Sequence, residues 1–283
     1  MLHTITLLDG ALGTSLWEKA EDTVPVWRYN IENPGIVKEL HSEYIAAGSK
    51  MILTNTFGAN AGAVAHSPYT VKEVVSRGVK LAKEAAEGTD VKVALSIGPL
   101  SVLLEPYGDL TEEEAATIYE EQIGAGMAEG ADSIILETFM DVNMMAVAVN
   151  VAKKYSVPVF CMMTFEKAGK TMMGQSVQDV LDVLVPMGID GIGLNCSLGP
   201  DLAIPIMEEF HEKTDLPLLF KPNAGKPVTD ANGIVTTAYD ANTFVNDVLP
   251  AVGFVSYIGG CCGTNPSYIQ CLHDRLTSMN SLA

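Results

Sequence analysis

Three of the five cysteines stand where they could bind a metal ion together. Cys261 and Cys262 are adjacent, and Cys196 lies well upstream. Three thiolates would hold Zn²⁺ and leave one tetrahedral position open, which is the arrangement of a catalytic zinc site. The backbone freedom needed to aim both adjacent sulfurs at one point would come from nearby glycines: Gly259, Gly260 and Gly263.

Spacing alone leaves other interpretations of these cysteines open. Free cysteine is among the most buried residue types, so all three could be inert core thiols. Cys261 and Cys262 could also form a vicinal disulfide or act in redox chemistry, because such long spacing is a weak metal motif. Cys161 falls in the middle of an apolar run and Cys271 on a helical pattern, and both are interpreted as core residues.

Carboxylates and a glycine-rich turn directly follow apolar runs. Asp9 and Glu137 could hold a substrate ammonium group, or they could be structural acids at loop starts. Gly10 and Ala11 could offer backbone N–H groups to a substrate carboxylate. A glycine-rich turn after a strand is also common for steric reasons alone, so both interpretations stand.

Neutral amides end other apolar runs, at Asn55, Asn195 and Asn223. Amides in such positions usually tie loops together, and each is also a candidate for substrate contact. The histidines lack the spacing of metal ligands. His41, His211 and His273 fall on helical patterns and are expected at the surface or with satisfied ring nitrogens.

The elements that would position these residues alternate along the chain. Short apolar runs of this kind are typical of parallel strands buried on both faces. There are eight: Ile5–Ala11, Met51–Phe57, Val91–Pro99, Ser133–Phe139, Pro158–Phe165, Gly191–Cys196, Leu216–Asn223 and Val255–Cys261. Helical patterns lie between them, near residues 33–48, 71–87, 111–129, 141–154, 176–187, 201–213, 240–250 and 266–279. Asn33 and Pro34 suit a helix start, and Thr111 with Glu114 forms a capping box.

Eight strand–helix units without an internal linker predict an α/β fold, a single-domain (β/α)8 TIM barrel over residues 1–283. An open doubly wound sheet is the rival, weakened because no Gly-x-Gly-x-x-Gly follows the first run. The longest irregular stretches are Trp17–Glu32, Ser101–Leu110 and residues 224–239. Since the C-terminal ends of all barrel strands meet at one face, the cysteines, carboxylates and amides would meet there, as in an enzyme.

Composition excludes several partners. Lys and Arg total 17 against 35 Asp and Glu, and the net charge of −18 repels nucleic acid and anionic membranes. No run reaches the roughly 18 apolar residues of a membrane span. Met1 to Asp9 carry no basic segment or long apolar run typical of a signal peptide. We therefore expect a cytoplasmic protein with reduced thiols.

Six segments between Asp9 and about Arg275 resemble the homocysteine S-methyltransferase family: Asp9–Thr14, Thr54–Gly58, Glu137–Thr138, Gly193–Pro200, Pro222–Gly225 and Gly259–Thr264. The pair Gly-Leu-Asn-Cys and Gly-Gly-Cys-Cys-Gly-Thr, in that order, is highly specific. The resemblance implies a TIM barrel with Zn²⁺ on the three cysteines and homocysteine bound to it through its thiolate. It also implies that Asp9 and Glu137 hold the amino group, that the Gly10–Ala11 turn faces the carboxylate, and that Asn223 lies close to the metal.

The segments around Asn195 and Asn223 are most similar to the homocysteine-binding module of cobalamin-dependent methionine synthase. This similarity implies that a methyl group passes to homocysteine, giving methionine, from a methylated corrinoid (methylcobalamin) on a partner protein or domain. S-methylmethionine, betaine or another small donor, or a different thiol acceptor, is the alternative within the same class. An alternative of another class is a non-catalytic module that binds zinc or an amino acid.

Overall fold

The computed structural model describes residues 5–225, 227–229, 235–237 and 239–282. In this part of the chain, eight parallel strands form a barrel surrounded by helices, which confirms the predicted single-domain (β/α)8 fold. Among the described helices, none is long and apolar enough to cross a membrane.

The barrel strands occupy the predicted apolar runs but are shorter. They are β1 (Thr6–Leu7), β2 (Met51–Leu53), β3 (Lys92–Ile97), β4 (Ser133–Phe139), β5 (Val159–Met163), β6 (Gly191–Asn195), β7 (Leu218–Lys221) and, after an antiparallel pair of β8 (Pro227–Thr229) and β9 (Val235–Thr237), β10 (Tyr257–Ile258). Neighbours pair in the order β1-β10-β7-β6-β5-β4-β3-β2. A bridge between Leu8 and Met51, with a hydrogen bond of 2.7 Å from the Lys50 N–H to the Leu7 carbonyl, joins β2 to β1 and closes the ring.

All eight predicted helices form. The α-helices are α1 (Gly13–Ala20), α2 (Tyr29–Glu32), α3 (Pro34–Ala46), α4 (Ala61–Val64), α5 (Val71–Ala86), α6 (Glu112–Ala128), α7 (Val142–Ala152), α8 (Val177–Leu184), α9 (Pro200–Lys213), α10 (Ala241–Val248) and α11 (Pro266–Leu282). In the described part of the chain, three 3-10 turns accompany them: Val26–Arg28, Val185–Met187 and Leu249–Gly253.

The helix starts follow the predicted chemistry in one case and not in the other. Thr111 and Glu114 form the predicted capping box, in which each side chain accepts the other residue's backbone N–H. The predicted side-chain cap by Asn33 is wrong, since Asn33 makes no capping hydrogen bond, while Pro34 does begin α3.

Two predicted irregular stretches are partly regular. The stretch Trp17–Glu32 contains the end of α1, the 3-10 turn Val26–Arg28 and α2. Gly13 obscured the start of α1, because glycine is a poor helix former and the turn before it reads as the end of a strand. Within residues 224–239, the described parts include β8 and β9.

The strands are apolar on both faces because both faces are buried. A small cluster of buried side chains, from residues that alternate along the strands, fills the barrel interior: Leu8, Met51, Leu53, Ala94, Ile135, Phe160, Met162 and Leu219. Since alternate strand residues face the same side, the residues two positions further on form the next interior layer. Ser96, Glu137 and Lys221 follow Ala94, Ile135 and Leu219 in this way, so polar side chains reach the C-terminal end of the barrel.

A glycine in β6 permits the approach to β7 that this interior requires. A Cβ atom added at Gly193 would lie 1.8 Å from the carbonyl oxygen of Leu219. Because the obstacle is backbone rather than a side-chain end, rotamer changes cannot relieve it. β6 leads directly to Asn195 and Cys196, so this close approach also sets their position.

Gly193→Ala is expected to lower the free energy of unfolding by about 2–3 kcal/mol, as overpacking against fixed atoms does. The matched control is Gly35→Ala in α3, where a Cβ meets nothing within 4 Å. That variant is expected to be neutral or more stable by up to about 1 kcal/mol. Urea unfolding measures both, and equal stability of the two variants would contradict the proposed packing.

Candidate functional site

The three cysteines predicted to bind a metal meet at the C-terminal end of the barrel. Cys196 directly follows β6, and Cys261 and Cys262 follow β10. Their sulfur atoms all lie within 4.8 Å of one another, and those of Cys196 and Cys262 are 3.7 Å apart. All three are free thiols. The other two cysteines lie elsewhere, Cys161 buried in β5 and Cys271 half-buried on α11.

The cluster has the spacing and donors of a zinc site. Tetrahedral zinc with Zn–S bonds of about 2.3 Å separates neighbouring sulfurs by about 3.8 Å, close to the 3.7 Å between Cys196 and Cys262. Hydrogen bonds from Cys261 and Cys262 lower the pKa of the Cys196 thiol even though it is buried. Asn223 donates to the same sulfur, and its buried Oδ1 has no partner among the described residues. The residues present therefore fit the metal.

Strained backbone holds Cys196 in place. Cys196 and Ser197 have φ angles of 61° and 57°, in the left-handed region that residues other than glycine rarely adopt. Such residues cost about 1–3 kcal/mol each and persist only where surrounding contacts fix them. Here the Cys196 N–H donates to the Lys221 carbonyl at 3.1 Å, and the Leu198 N–H donates to the Cys196 carbonyl at 2.7 Å.

The glycines around the adjacent pair act differently from the prediction. Of the three, Gly263 alone has a positive φ, 83°. Gly259 and Gly260 instead allow close packing. A Cβ on Gly259 would lie 2.6 Å from the Asp9 carbonyl oxygen, and one on Gly260 would lie 2.5 Å from Thr264. The turn thus depends on space at two glycines and on conformation at the third.

Glu137 places a buried carboxylate beside the cysteines. It ends the interior face of β4, and its Oε1 accepts a hydrogen bond of 2.5 Å from the Ser96 hydroxyl. Its Oε2 accepts a longer one of 3.2 Å from the Asn195 amide. Burial raises the pKa of the Glu137 carboxyl, and the charge of Lys221 opposes this shift. The residue is 9% exposed and lines a cavity.

Asp9 is paired with a buried lysine, Lys221, to which the sequence pattern assigns no role. The Lys221 ammonium donates to Asp9 Oδ1 at 2.5 Å, and the Leu53 N–H donates to Oδ2 at 2.7 Å. Burial alone would lower the pKa of Lys221, but the charges of Asp9 and Glu137 outweigh it and raise that pKa. Burial also raises the pKa of the Asp9 carboxyl, and the charge of Lys221 and the hydrogen bond from Leu53 oppose that shift. The contact of 2.5 Å between the ammonium and the carboxylate supports an ion pair.

The three predicted amides have different surroundings. Asn195 is fully buried; its Oδ1 accepts from the Thr138 N–H at 2.8 Å, and its amide contacts Glu137. Asn55 donates to the Val26 carbonyl at 2.8 Å and so ties a loop, although it also borders the cavity. Asn195 is thus a positioning residue for Glu137 that also donates to Cys261 Sγ at 3.9 Å, and Asn223 donates to Cys196.

Backbone N–H groups face the cavity, but not all those predicted are free. The Ala11 N–H donates to Thr264 Oγ1 at 3.2 Å. The next residues begin α1, where the first intrahelical bond runs from the Leu16 N–H to the Leu12 carbonyl. The amides of Gly13 and Thr14 precede that bond and belong to residues that line the cavity. Such helix starts attract anions, and this one was missed because α1 itself was missed.

One cavity of about 430 Å³ joins these groups. Its base includes Ser96, Glu137, Lys221 and the three cysteines. The exposed aromatic side chains of Trp17 and Phe57 line it. Further exposed apolar side chains lie on segments that follow β3 and β5, at the same end of the barrel, and we call the whole set the apolar rim: Trp17, Phe57, Val102, Leu103, Tyr107 and Met172. The cavity is therefore polar at its base and apolar at its mouth.

His41 departs from the prediction for histidines. It is fully buried on α3, and neither ring nitrogen has a partner among the described residues. Burial lowers its pKa to about 4, so the ring is neutral at neutral pH. It lies in the hydrophobic core face of α3, next to Leu40, rather than at the surface.

The chain is similar in sequence to known proteins. The sequence model of the homocysteine S-methyltransferase family matches residues 6–276. The methionine synthases of Mycobacterium leprae and Mycobacterium tuberculosis are each 28% identical to this protein, over 93% of its chain. The chain spans only 23% and 24% of the length of these two relatives.

A solved structure shares the fold. The metallated form of the homocysteine methyltransferase MmuM from Escherichia coli superimposes with a TM-score of 0.81, over 96% of both chains and with 23% sequence identity. At this identity the likeness supports the barrel fold.

Cys262→Ala should lose zinc. Removal of a direct ligand is expected to weaken zinc binding by more than the roughly 10- to 100-fold that loss of an outer-shell partner costs. Metal analysis after dialysis against a competing chelator measures this, with Cys271→Ala on α11 as the matched control. If Cys262→Ala keeps as much zinc as the control, the three-cysteine site is wrong.

Proposed function

The chain belongs to the homocysteine S-methyltransferase family, and we propose that it transfers a methyl group to the thiol of homocysteine, forming methionine. The observation that carries this proposal is the cluster of three sulfur atoms within 4.8 Å beside the buried carboxylate of Glu137. A thiol-activating metal and a site for an ammonium group thereby border one cavity. Those are the two features that an amino acid thiol requires.

Cys196, Cys261 and Cys262 would hold Zn²⁺ in this cluster. When bound, zinc supplies a Lewis acid that lowers the pKa of an incoming thiol and holds it as the thiolate at neutral pH. Three protein ligands leave one tetrahedral position for that thiol. Asn223, which donates to Cys196 and whose Oδ1 has no partner among the described residues, would lie beside this position.

The rest of the cavity would bind the two ends of homocysteine. The amino group belongs at the buried acids, a role that the family resemblance gives to Asp9 and Glu137. The carboxylate belongs at the start of α1, where Gly10 and Ala11 lead into the uncapped amides of Gly13 and Thr14. The separation of acid and amide groups fixes which way the amino acid lies, so that its thiol points toward the cysteines.

The transfer itself is an in-line displacement. The acceptor sulfur forms a bond to the methyl carbon while the bond from that carbon to its leaving group breaks, and the electron pair leaves with the donor. No side chain has to remove a proton in this step, because the acceptor is already a thiolate. The residues of the chain therefore act by orienting the acceptor and excluding water from it.

We assign the donor role to a methylated corrinoid on a partner protein or domain. The support is the apolar rim, in which Trp17 and Phe57 line the cavity and are 39% and 38% exposed. A small polar donor would not need such a surface, whereas a docked protein would cover it. The longer methionine synthases that this chain resembles favour the same arrangement. A cytoplasmic location stays a prediction from the sequence.

A panel of donors tests this assignment. We expect the zinc-loaded chain to form methionine from homocysteine with methylcobalamin, and to form little with S-methylmethionine or betaine. Mass spectrometry of the product measures each reaction, with Cys262→Ala as the metal-deficient control. Activity with S-methylmethionine and none with methylcobalamin would contradict the corrinoid assignment while leaving the acceptor unchanged.

A further inference from the structure

Two turns that border the cavity lie side by side, although they come from opposite ends of the chain. One, at residues 9–12, leads from β1 into α1. The other, at residues 261–264, carries two of the cysteines, and we call it the cysteine turn. Both turns contribute to the lining of the cavity. The Gly260 N–H donates to the Asp9 carbonyl at 3.1 Å, so the two backbones are in contact just before the cysteine turn.

The Thr264 hydroxyl makes a second link between these turns, through a single atom. Its Oγ1 donates to the Cys261 carbonyl at 2.8 Å and accepts the Ala11 N–H at 3.2 Å. A hydroxyl has one proton to donate and lone pairs with which to accept, so both bonds can form at once. Because Thr264 is only 1% exposed, water cannot take the place of either bond.

Ala11 is held from its other side as well. Its carbonyl accepts a hydrogen bond of 2.6 Å from the hydroxyl of Tyr44, a fully buried residue of α3. A Cβ atom added at Gly10 would lie 2.8 Å from both Thr264 Oγ1 and the Tyr44 hydroxyl oxygen. The turn into α1 is therefore packed directly against the two hydroxyls. Since packed interiors transmit displacement, a shift of Thr264 is passed on to Ala11.

Thr264 connects two regions to which the proposed function gives different tasks. Cys261 carries both a sulfur of the metal cluster and the carbonyl to which Thr264 donates. Ala11 leads into the start of α1, where the carboxylate of the acceptor is placed. Thr264 itself falls outside the described residues that line the cavity, so it acts through these two neighbours.

We infer that Thr264 is a positioning residue that couples the two ends of the acceptor site, so that zinc on the cysteines tightens binding of the amino acid portion of the acceptor. The inference rests on the proposed function and adds a link within the same site. A metal held through the Cys261 sulfur fixes the Cys261 carbonyl, and the Thr264 hydroxyl passes that order to Ala11. Because coupling between two sites is reciprocal, the amino acid tightens zinc binding by the same factor.

L-2-Aminobutyrate isolates this coupling, because it is homocysteine without the sulfur atom. It retains the ammonium and carboxylate groups of the acceptor but has no thiol with which to bind zinc. The chain has two tryptophans, Trp17 and Trp27, and both line the cavity, so intrinsic fluorescence can follow binding. The ratio of the Kd values in the metal-free and zinc-loaded protein measures the coupling. General damage to the cavity cancels, since each ratio compares one variant with itself.

The test compares this ratio in the wild-type chain and two variants of Thr264. In the wild type, zinc should lower the Kd of L-2-aminobutyrate by about fivefold or more, the lower end of typical coupling between sites. Thr264→Val keeps the shape of the side chain but loses both bonds, and its ratio should fall to within about twofold of unity. Thr264→Ser keeps the hydroxyl and should retain the wild-type ratio within about twofold. Metal analysis checks that each loaded protein holds its zinc.

A second measurement serves if Thr264→Val binds zinc too weakly to be loaded. Competition with a chelator gives the Kd of zinc with and without saturating L-2-aminobutyrate. The amino acid should lower that Kd by about fivefold or more in the wild type and in Thr264→Ser, but not in Thr264→Val. Thr264→Ala removes the same hydroxyl with a smaller side chain and takes the place of Thr264→Val if that variant does not fold.

The outcomes separate this inference from the function beneath it. If the zinc-loaded wild-type chain does not bind homocysteine, the proposed acceptor and this inference both fail. If it binds homocysteine but zinc does not tighten the binding of L-2-aminobutyrate, only this inference fails. It also fails if Thr264→Val couples as strongly as the wild type. Loss of coupling in Thr264→Ser as well as in Thr264→Val would likewise overturn it, because the hydroxyl would then not be the link.

Discussion

Three sulfur atoms from two strands must meet within 4.8 Å, and the C-terminal face of the barrel depends on that meeting. The constraint is met by backbone rather than by side-chain choice. Cys196 adopts a left-handed φ of 61° after β6, while Gly259 and Gly260 after β10 leave no room for a Cβ. Hydrogen bonds to neighbouring strand ends, such as the one from the Cys261 N–H to the Pro222 carbonyl at 2.8 Å, fix the two turns relative to each other. The backbone therefore fixes the three thiols close to one another, and such preorganisation favours binding.

The polar layer beneath the cysteines follows from the same strand alternation that fills the barrel. Three polar residues face the barrel interior, each two positions after an apolar residue of the same strand that faces the same way: Ser96, Glu137 and Lys221. Charges in such a position are tolerated only when paired, because the surroundings solvate them poorly. The pair of Lys221 with Asp9 satisfies that requirement within the protein, and Glu137 accepts hydrogen bonds from Ser96 and Asn195 while it borders the cavity.

Much of this could be predicted from the sequence, and the failures have physical causes. Short apolar runs and capping chemistry located the strands and eight helices, because those signals are local. The meeting of the cysteines and Glu137 at one face was predicted because strand ends share one face of a barrel. The pairing of Lys221 with Asp9 was not, since it joins residues far apart in the chain and depends on the register around the closed ring. His41 was misplaced because a helical pattern does not reveal what a core will accept, and α1 was missed because its first residue is Gly13.

In the proposed site, the acceptor thiol becomes the fourth sulfur around a zinc ion held by Cys196, Cys261 and Cys262. Zinc K-edge X-ray absorption of the purified, zinc-loaded chain measures the sulfur count directly, with and without L-homocysteine. We expect three sulfur ligands without homocysteine and four with it, at about 2.3 Å. A sulfur count that stays at three when saturating homocysteine is present would contradict it.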